Sequence, residues 1–153
     1  LFIYTYHGGR MPNIDSIWYV VMEFIPLSVG AVNLITLLLF AGSYLFLMWY
    51  FRKRDFIELS FIAVLLFLII NKVFSPQFLL WLLPFFVLFG AKLWMFYSLE
   101  ITNILVLFAT VTHIFSGEVF SAALVVSGIL VVKRHVYLLG FLSQRVKKLK
   151  DSV

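Results

Sequence analysis

Cysteine is absent from this sequence, and charged residues are scarce. None of the 153 residues is cysteine, and only 12% are charged. Without cysteine, the chain has no disulfide, no thiolate nucleophile and no thiolate metal site. Charged residues make up roughly a quarter of an ordinary soluble domain. The shortage of charge therefore excludes a soluble domain of normal composition, since a surface facing water would lack polar cover.

Apolar residues fill the sequence instead. They make up 63% of it, and the mean hydropathy is +1.07. The eighteen Phe and four Trp suit positions that face lipid or the membrane–water interface. The composition predicts an all-α polytopic membrane protein.

Long runs with little charge predict about five transmembrane helices. The runs cover residues 31–51, 56–70, 77–91, 92–116 and 119–132. The first run has no charge over 21 residues, which is enough to cross a hydrocarbon core of about 30 Å. Pro84 lies inside the third run and predicts a kink or an interruption there.

Lysine and arginine predict the orientation and the division of the chain. With five crossings, all of them except Arg10 and Lys72 fall on one side, which is then the cytoplasmic side. We expect an outer loop with an interfacial helix over 1–30, a helix bundle over 31–132, and a basic cytoplasmic tail over 133–153. The tail suits an amphipathic helix on anionic membrane lipid, and no nucleic-acid partner is expected.

Two segments on the predicted outer side concentrate polar residues. The first, residues 6–18, precedes a short apolar stretch, and Asp15 or Ser16 is expected to cap a helix that begins near Ile17. Its candidate functional residues are His7, Arg10, Asp15 and Ser16. An ordinary exposed loop before an interfacial helix is the simpler interpretation of this segment.

The second outer segment, residues 71–77, places Lys72, Ser75 and Gln77 around a predicted helix start. Free backbone N–H groups at a helix N-terminus attract anions, and an adjacent lysine adds a full positive charge. Pro76 suits the first helical turn, where its missing N–H group costs nothing. The segment therefore indicates an anion site, or else an ordinary helix start with one lysine whose side chain extends its ammonium group into water.

Other polar residues give weaker signals. Glu100 lies in the fourth run, and Asn103 follows on the same helical face, which allows a proton relay or an ordinary hydrogen bond between helices. The three histidines have no metal-ligand spacing. No nucleotide-binding or hydrolase motif occurs, so neither a metal nor a cofactor is expected.

The two outer segments carry a resemblance to a known family. Residues 71–84 read NKVFSPQFLLWLLP, which closely resembles the K-x-F-S-P-Q-[YF]-L-L-W-[LI]-x-P stretch of polyprenol-phosphate-mannose-dependent mannosyltransferases. Residues 6–18 are similar to the Y-H-x-x-R-x-x-x-I-E-S-x-W stretch of the same family, with Asp15 in place of the usual Glu. These enzymes have the GT-C architecture of glycosyltransferase family 87 and are related to the first mannosyltransferase of GPI-anchor synthesis. The resemblance covers roughly residues 4–84.

The resemblance implies a transferase that moves mannose, or a similar hexose, from a polyprenyl-phosphate donor to a glycan, lipid or protein acceptor. Transfer would occur on the outer side of a prokaryotic plasma membrane or in the lumen of the endoplasmic reticulum, without a metal or cofactor. The family places its general base in a more N-terminal loop, so the chain would be a C-terminal part and would hold no catalytic residue.

For the donor site, the resemblance implies that Arg10 and Lys72 contact the phosphate. Residues that position these cations or contact the sugar would be His7, Asp15, Ser16, Ser75 and Gln77. Two other functions remain open on the sequence alone: a fragment of a transporter or flippase, and a non-catalytic partner subunit in the membrane.

Overall fold

The computed structural model describes residues 8–90, 93–116 and 122–151. All regular structure in these ranges is helical, which confirms the predicted all-α class. The elements are α1 (Ile17–Phe24), α2 (Val29–Tyr50), α3 (Phe56–Ile70), a 3-10 helix (Pro76–Leu82), α4 (Leu83–Leu88), α5 (Leu93–Ser116) and α6 (Ala122–Asp151).

Three of the described helices are long and apolar enough to cross a membrane. They are Val29–Tyr50, Trp94–Phe115 and Ala123–Lys150. The prediction of about five spans is therefore wrong in number. Helix α3 has 15 residues, so at 1.5 Å per residue it is about 22 Å long, shorter than a hydrocarbon core of about 30 Å.

The third apolar run is divided rather than helical throughout. It forms the 3-10 helix Pro76–Leu82 followed by the six-residue helix α4. Pro84 lies in the first turn of α4, where a residue without a backbone N–H group is tolerated. The predicted interruption is confirmed, and the run is too short to be a separate span.

Helix α6 joins two segments that the sequence analysis had separated. It continues without a break from Ala122 to Asp151, through the predicted boundary between the bundle and the tail at residue 133. At 1.5 Å per residue, its 30 residues extend for about 45 Å. The basic residues at 133–135 do not end the helix because apolar residues on both sides of them are buried in the bundle: Val131, Leu138, Phe141 and Leu149.

Helices α5 and α6 form an antiparallel pair. The hydroxyls of Thr110 and Ser127 are 3.2 Å apart near one end of the pair, and the Ser98 hydroxyl lies 3.4 Å from the Tyr137 hydroxyl farther along. The hydrophobic core against this pair comes from α3, the 3-10 helix and α4. Its buried members include Phe61, Leu65, Leu68, Leu79, Leu82 and Phe86.

The outer face of the bundle is apolar, as expected for a protein surrounded by lipid. Trp49 on α2 is 69% exposed, and Phe108 and Phe115 on α5 are 66% and 85% exposed. Apolar exposure on this scale is rare on soluble monomers. The described structure therefore supports an integral membrane protein.

Candidate functional site

The two polar segments recognised in the sequence are in direct contact. The backbone N–H of Asn13 donates to the Lys72 carbonyl at 3.1 Å, and the Asn13 side-chain amide donates to the Phe74 carbonyl at 2.8 Å. The Trp18 indole N–H donates to the Ile70 carbonyl at 2.6 Å. We call residues 10–18 and 70–75, together with Arg134, the polar cluster.

The first segment is shaped by local hydrogen bonds. Ser16 is the N-cap of α1, as predicted, and its hydroxyl accepts from the Tyr19 N–H at 3.2 Å. The Ser16 N–H donates to the Asn13 carbonyl at 2.9 Å, and the Arg10 guanidinium donates to the Asn13 side-chain oxygen at 3.1 Å. Asn13 therefore organises the turn and also links it to the second segment.

Lys72 points its ammonium group at the first segment. Its Nζ donates to the Arg10 carbonyl at 3.0 Å and contacts the Gly8 carbonyl at 3.4 Å. Only 9% of the residue is exposed. Burial lowers the pKa of Lys72 from its usual 10.5, and the positive charge of Arg10 lowers it further. The lysine thus links the two segments and adds positive charge to the polar cluster.

Arg134 on α6 is the residue of the polar cluster that the sequence analysis missed. It is fully buried, and it donates to the Asn103 side-chain oxygen on α5 at 3.0 Å and to the Asp15 carbonyl. Its guanidinium carbon lies 3.7 Å from the centre of the Phe74 ring. Within the described residues, its Nε has no hydrogen-bond partner.

This position corrects the prediction that Arg134 lies in a cytoplasmic tail. Asp15 and Arg134 were expected on opposite sides of the membrane, yet they are in contact. The sequence of α6 contained a partial signal, because the apolar residues Val131 and Leu138 lie three residues before and four residues after Arg134, and both prove to be buried. That spacing places the arginine on the face of the helix that packs into the bundle.

Asp15 is the carboxylate of the polar cluster. Burial raises its pKa above the usual 3.8, while the charge of Arg134 opposes the rise. Against this one carboxylate, the cluster contains three cationic side chains, those of Arg10, Lys72 and Arg134. Its positive surplus, partly shielded from water, is suited to an anion.

The remaining predicted site residues lie at the edge of the polar cluster or outside the residues that the structure describes. His7 is outside the described residues. Ser75 precedes the 3-10 helix without a side-chain capping bond, and Gln77 is exposed. No hydrogen bond of the described structure joins the side chain of Ser75 or of Gln77 to another residue of the polar cluster, so their assigned roles stay predictions.

A cavity of about 260 Å³ opens between α2 and α3 beside Lys72. Its polar lining is Asn33, Thr36, Asn71 and Lys72, and its apolar lining is Leu37, Phe40, Phe67 and Ile70. Neither Asn33 nor Thr36 was predicted from the sequence as a site residue. The available signal was their spacing, since two polar residues three positions apart lie on one face of a mainly apolar helix.

A second cavity, of about 440 Å³, lies between α1 and the first half of α6 and is lined mainly by apolar side chains. Within the described ranges, no three His, Asp or Glu side chains form a group that could hold a metal ion. Comparisons with models of protein families, with curated proteins and with solved structures find no match to the chain.

Proposed function

We propose that the chain is part of a membrane glycosyltransferase. It transfers mannose, or a similar hexose, from a polyprenyl-phosphate donor to an acceptor on the outer or luminal side. One observation carries the proposal: the two segments that resemble the mannosyltransferase family pack together, although Asn13 and Phe74 are 61 residues apart. They meet in a cluster with more cations than carboxylates.

The charge of the polar cluster suits the chemistry of such a transfer. When the bond between the sugar and the phosphate oxygen breaks, the departing polyprenyl phosphate gains negative charge. Positive groups already held in place, and partly removed from water, stabilise that charge without having to reorganise. Arg10 and Lys72 contact the phosphate in this proposal. The acceptor hydroxyl forms the new bond to the sugar and loses its proton to a base that the family places in a more N-terminal loop.

The distribution of charge along the bundle supports an outer or luminal position for the polar cluster. Phe51, Leu59 and Leu149 pack together at the other end of α3, which brings the loop 52–54 and the C-terminal part of α6 to one end. That end carries the basic residues Arg52, Lys53, Arg54, Lys147, Lys148 and Lys150. Cations collect on the cytoplasmic side of membrane proteins, and this distribution supports a polar cluster that faces the other compartment.

The test is a transfer assay with polyprenyl-phosphate mannose and membranes from cells that express the full coding sequence. Lys72→Ala is expected to lower transfer by about 100-fold or more, because it removes a charge placed at the leaving group. Arg10→Gln is expected to lower transfer by about tenfold. Arg10 is exposed, so water weakens its attraction to the phosphate. Arg52→Gln removes an exposed arginine from the opposite end and should leave transfer unchanged.

Lys72 also donates a hydrogen bond to the first segment, so its replacement could disturb the fold. Each variant should therefore be extracted in detergent and shown to be a single species of normal size. Wild-type transfer by Lys72→Ala would contradict the role of that lysine. Absence of transfer by the wild-type protein from every polyprenyl-phosphate hexose tried would overturn the proposed function.

A further inference from the structure

The cavity beside Lys72 contains polar groups that the described structure leaves without partners. Asn33 donates its amide to the Gly8 carbonyl at 2.7 Å, which leaves its side-chain oxygen unengaged. The Asn71 side-chain oxygen accepts from the Val73 N–H at 3.2 Å, which leaves its amide unengaged. The Thr36 hydroxyl is buried and has no hydrogen-bond partner among the described residues.

Thr36 differs in this respect from other hydroxyl residues on the helices. Ser43, Ser60 and Thr112 each donate to the backbone carbonyl four residues earlier, at 2.6, 2.8 and 2.8 Å. That bond is the usual way for a helical hydroxyl in an apolar environment to find a partner. A buried hydroxyl that does not form it is expected to bond a group that enters the cavity.

The cavity is polar at one end and apolar at the other. Lys72 and Asn71 lie at the end of α3, where the polar cluster begins, whereas Phe40 and Phe67 lie farther along the two helices, 6.2 Å apart between ring centres. Leu37 lines the cavity and is also 62% exposed on the apolar outer face. The opening therefore faces the region that lipid chains occupy.

We propose that this cavity binds the phosphate and the first isoprene units of a prenyl phosphate. The Lys72 ammonium and the Asn71 amide bind phosphate oxygens, and the Thr36 hydroxyl donates to the same head group. The isoprene units lie against Phe40 and Phe67 and leave between α2 and α3. The inference rests on the proposed function for its choice of lipid, and it assigns Thr36 and Asn71 to donor binding, with Asn33 in the lining of the cavity.

Two variants separate ligand binding from folding. Asn71→Asp keeps the acceptor for the Val73 N–H but adds a negative charge beside the phosphate. Thr36→Val keeps the shape of the side chain and removes a hydroxyl that bonds nothing in the described protein, so the fold loses no hydrogen bond. The matched controls are Lys133→Gln, which makes the same change in net charge on an exposed face of α6, and Thr112→Val.

The measurement is calorimetric titration of the detergent-purified protein with farnesyl phosphate. We expect Asn71→Asp to weaken binding by at least about tenfold through charge repulsion. Thr36→Val should weaken it by about fivefold through loss of one hydrogen bond, with an unfolding temperature equal to or above that of the wild type. Both controls should bind within about twofold of the wild type. Wild-type affinity in both cavity variants would overturn the inference, and Thr36→Val alone decides it if Asn71→Asp does not fold.

Farnesol and inorganic phosphate, titrated separately, test the two halves of the ligand. Farnesol that binds as tightly as farnesyl phosphate would overturn the phosphate site, and inorganic phosphate that binds as tightly would overturn the lipid part. The predicted pattern of affinities without any hexose transfer would support the cavity and contradict the proposed function. Hexose transfer by the wild type, with unchanged affinity for farnesyl phosphate in both cavity variants, would support the proposed function and contradict the cavity as the binding site.

Discussion

Arg134 and Arg145 lie on the same helix in two different surroundings. Arg145 lies 4.0 Å from a carboxylate oxygen of Glu58, and its guanidinium carbon is 4.4 Å from the centre of the Phe89 ring. Arg134 is fully buried, stacks on Phe74, and directs both of its hydrogen bonds to uncharged oxygens. One arginine has an ionic partner at the basic end, and the other is held mainly by neutral groups at the polar cluster.

The difference shows what each end of the bundle is suited to do. A carboxylate beside a guanidinium cancels most of the electric field of the guanidinium. Arg145 therefore contributes mainly to the packing of α6 against α3. Neutral oxygens hold a guanidinium in place and leave most of its field intact. The charge of Asp15 offsets only part of the positive charge around it. Arg134 thus contributes positive potential to the cluster in which Arg10 and Lys72 are proposed to bind phosphate.

The largest effect is expected from removing Arg134, and removing Arg145 gives the comparison. Arg134→Ala removes the buried group that donates to the Asn103 side-chain oxygen and to the Asp15 carbonyl. This loss should lower the free energy of unfolding by about 3 kcal/mol. Arg145→Ala should lower it by about 1 kcal/mol, as for an ion pair that water reaches. Denaturant unfolding in mixed micelles measures both.

Arg134→Met sharpens the same comparison, because it keeps the volume of the side chain and removes the charge. If the cost of burying the charge exceeded its hydrogen bonds, this variant would be more stable than the wild type. That result would contradict a stabilising role for the hydrogen bonds of Arg134.

A smaller, local effect is expected at Asn13. Asn13→Ala removes the amide that donates to the Phe74 carbonyl and the oxygen that accepts from Arg10. Hydrogen exchange at residues 71–75 should speed up by about tenfold, as expected for the loss of about 1.4 kcal/mol of local stability. Exchange in α3 near Glu58 should not change. Equal acceleration at both ends of α3 would show that the two ends are not independent.

The smallest effect is expected from the pH dependence contributed by Lys72. Its lowered pKa means that the native protein releases the proton at a lower pH than the unfolded chain does. Between the lowered pKa and 10.5 the unfolded state holds more protons, so stability rises with pH, by at most about 1.4 kcal/mol per pH unit. Lys72→Gln should remove this rise, whereas Lys133→Gln should retain it. An identical pH profile for the wild type and Lys72→Gln would contradict the burial of the ammonium.

Local patterns predicted several features of the fold correctly. The composition indicated a helical membrane protein, Ser16 was among the two residues expected to cap the first short helix, and Pro84 was expected to interrupt its run. The cap and the interruption depend on neighbours within about one helical turn. The number of spans was wrong because length and charge were applied separately to each run. Whether a basic residue ends a span depends on what packs against it.

The sequence by itself determined the class of protein, the local caps and breaks, and the two polar segments that carry the family resemblance. These follow from side-chain chemistry and short-range periodicity. The tertiary structure alone decided that α6 continues through its basic residues, that Arg134 joins the polar cluster, and that Thr36 faces a cavity beside Lys72. The partners of Arg134 lie 31 and 119 residues away along the chain. A buried charge is tolerated only where such distant groups converge on it, and no local pattern records that convergence.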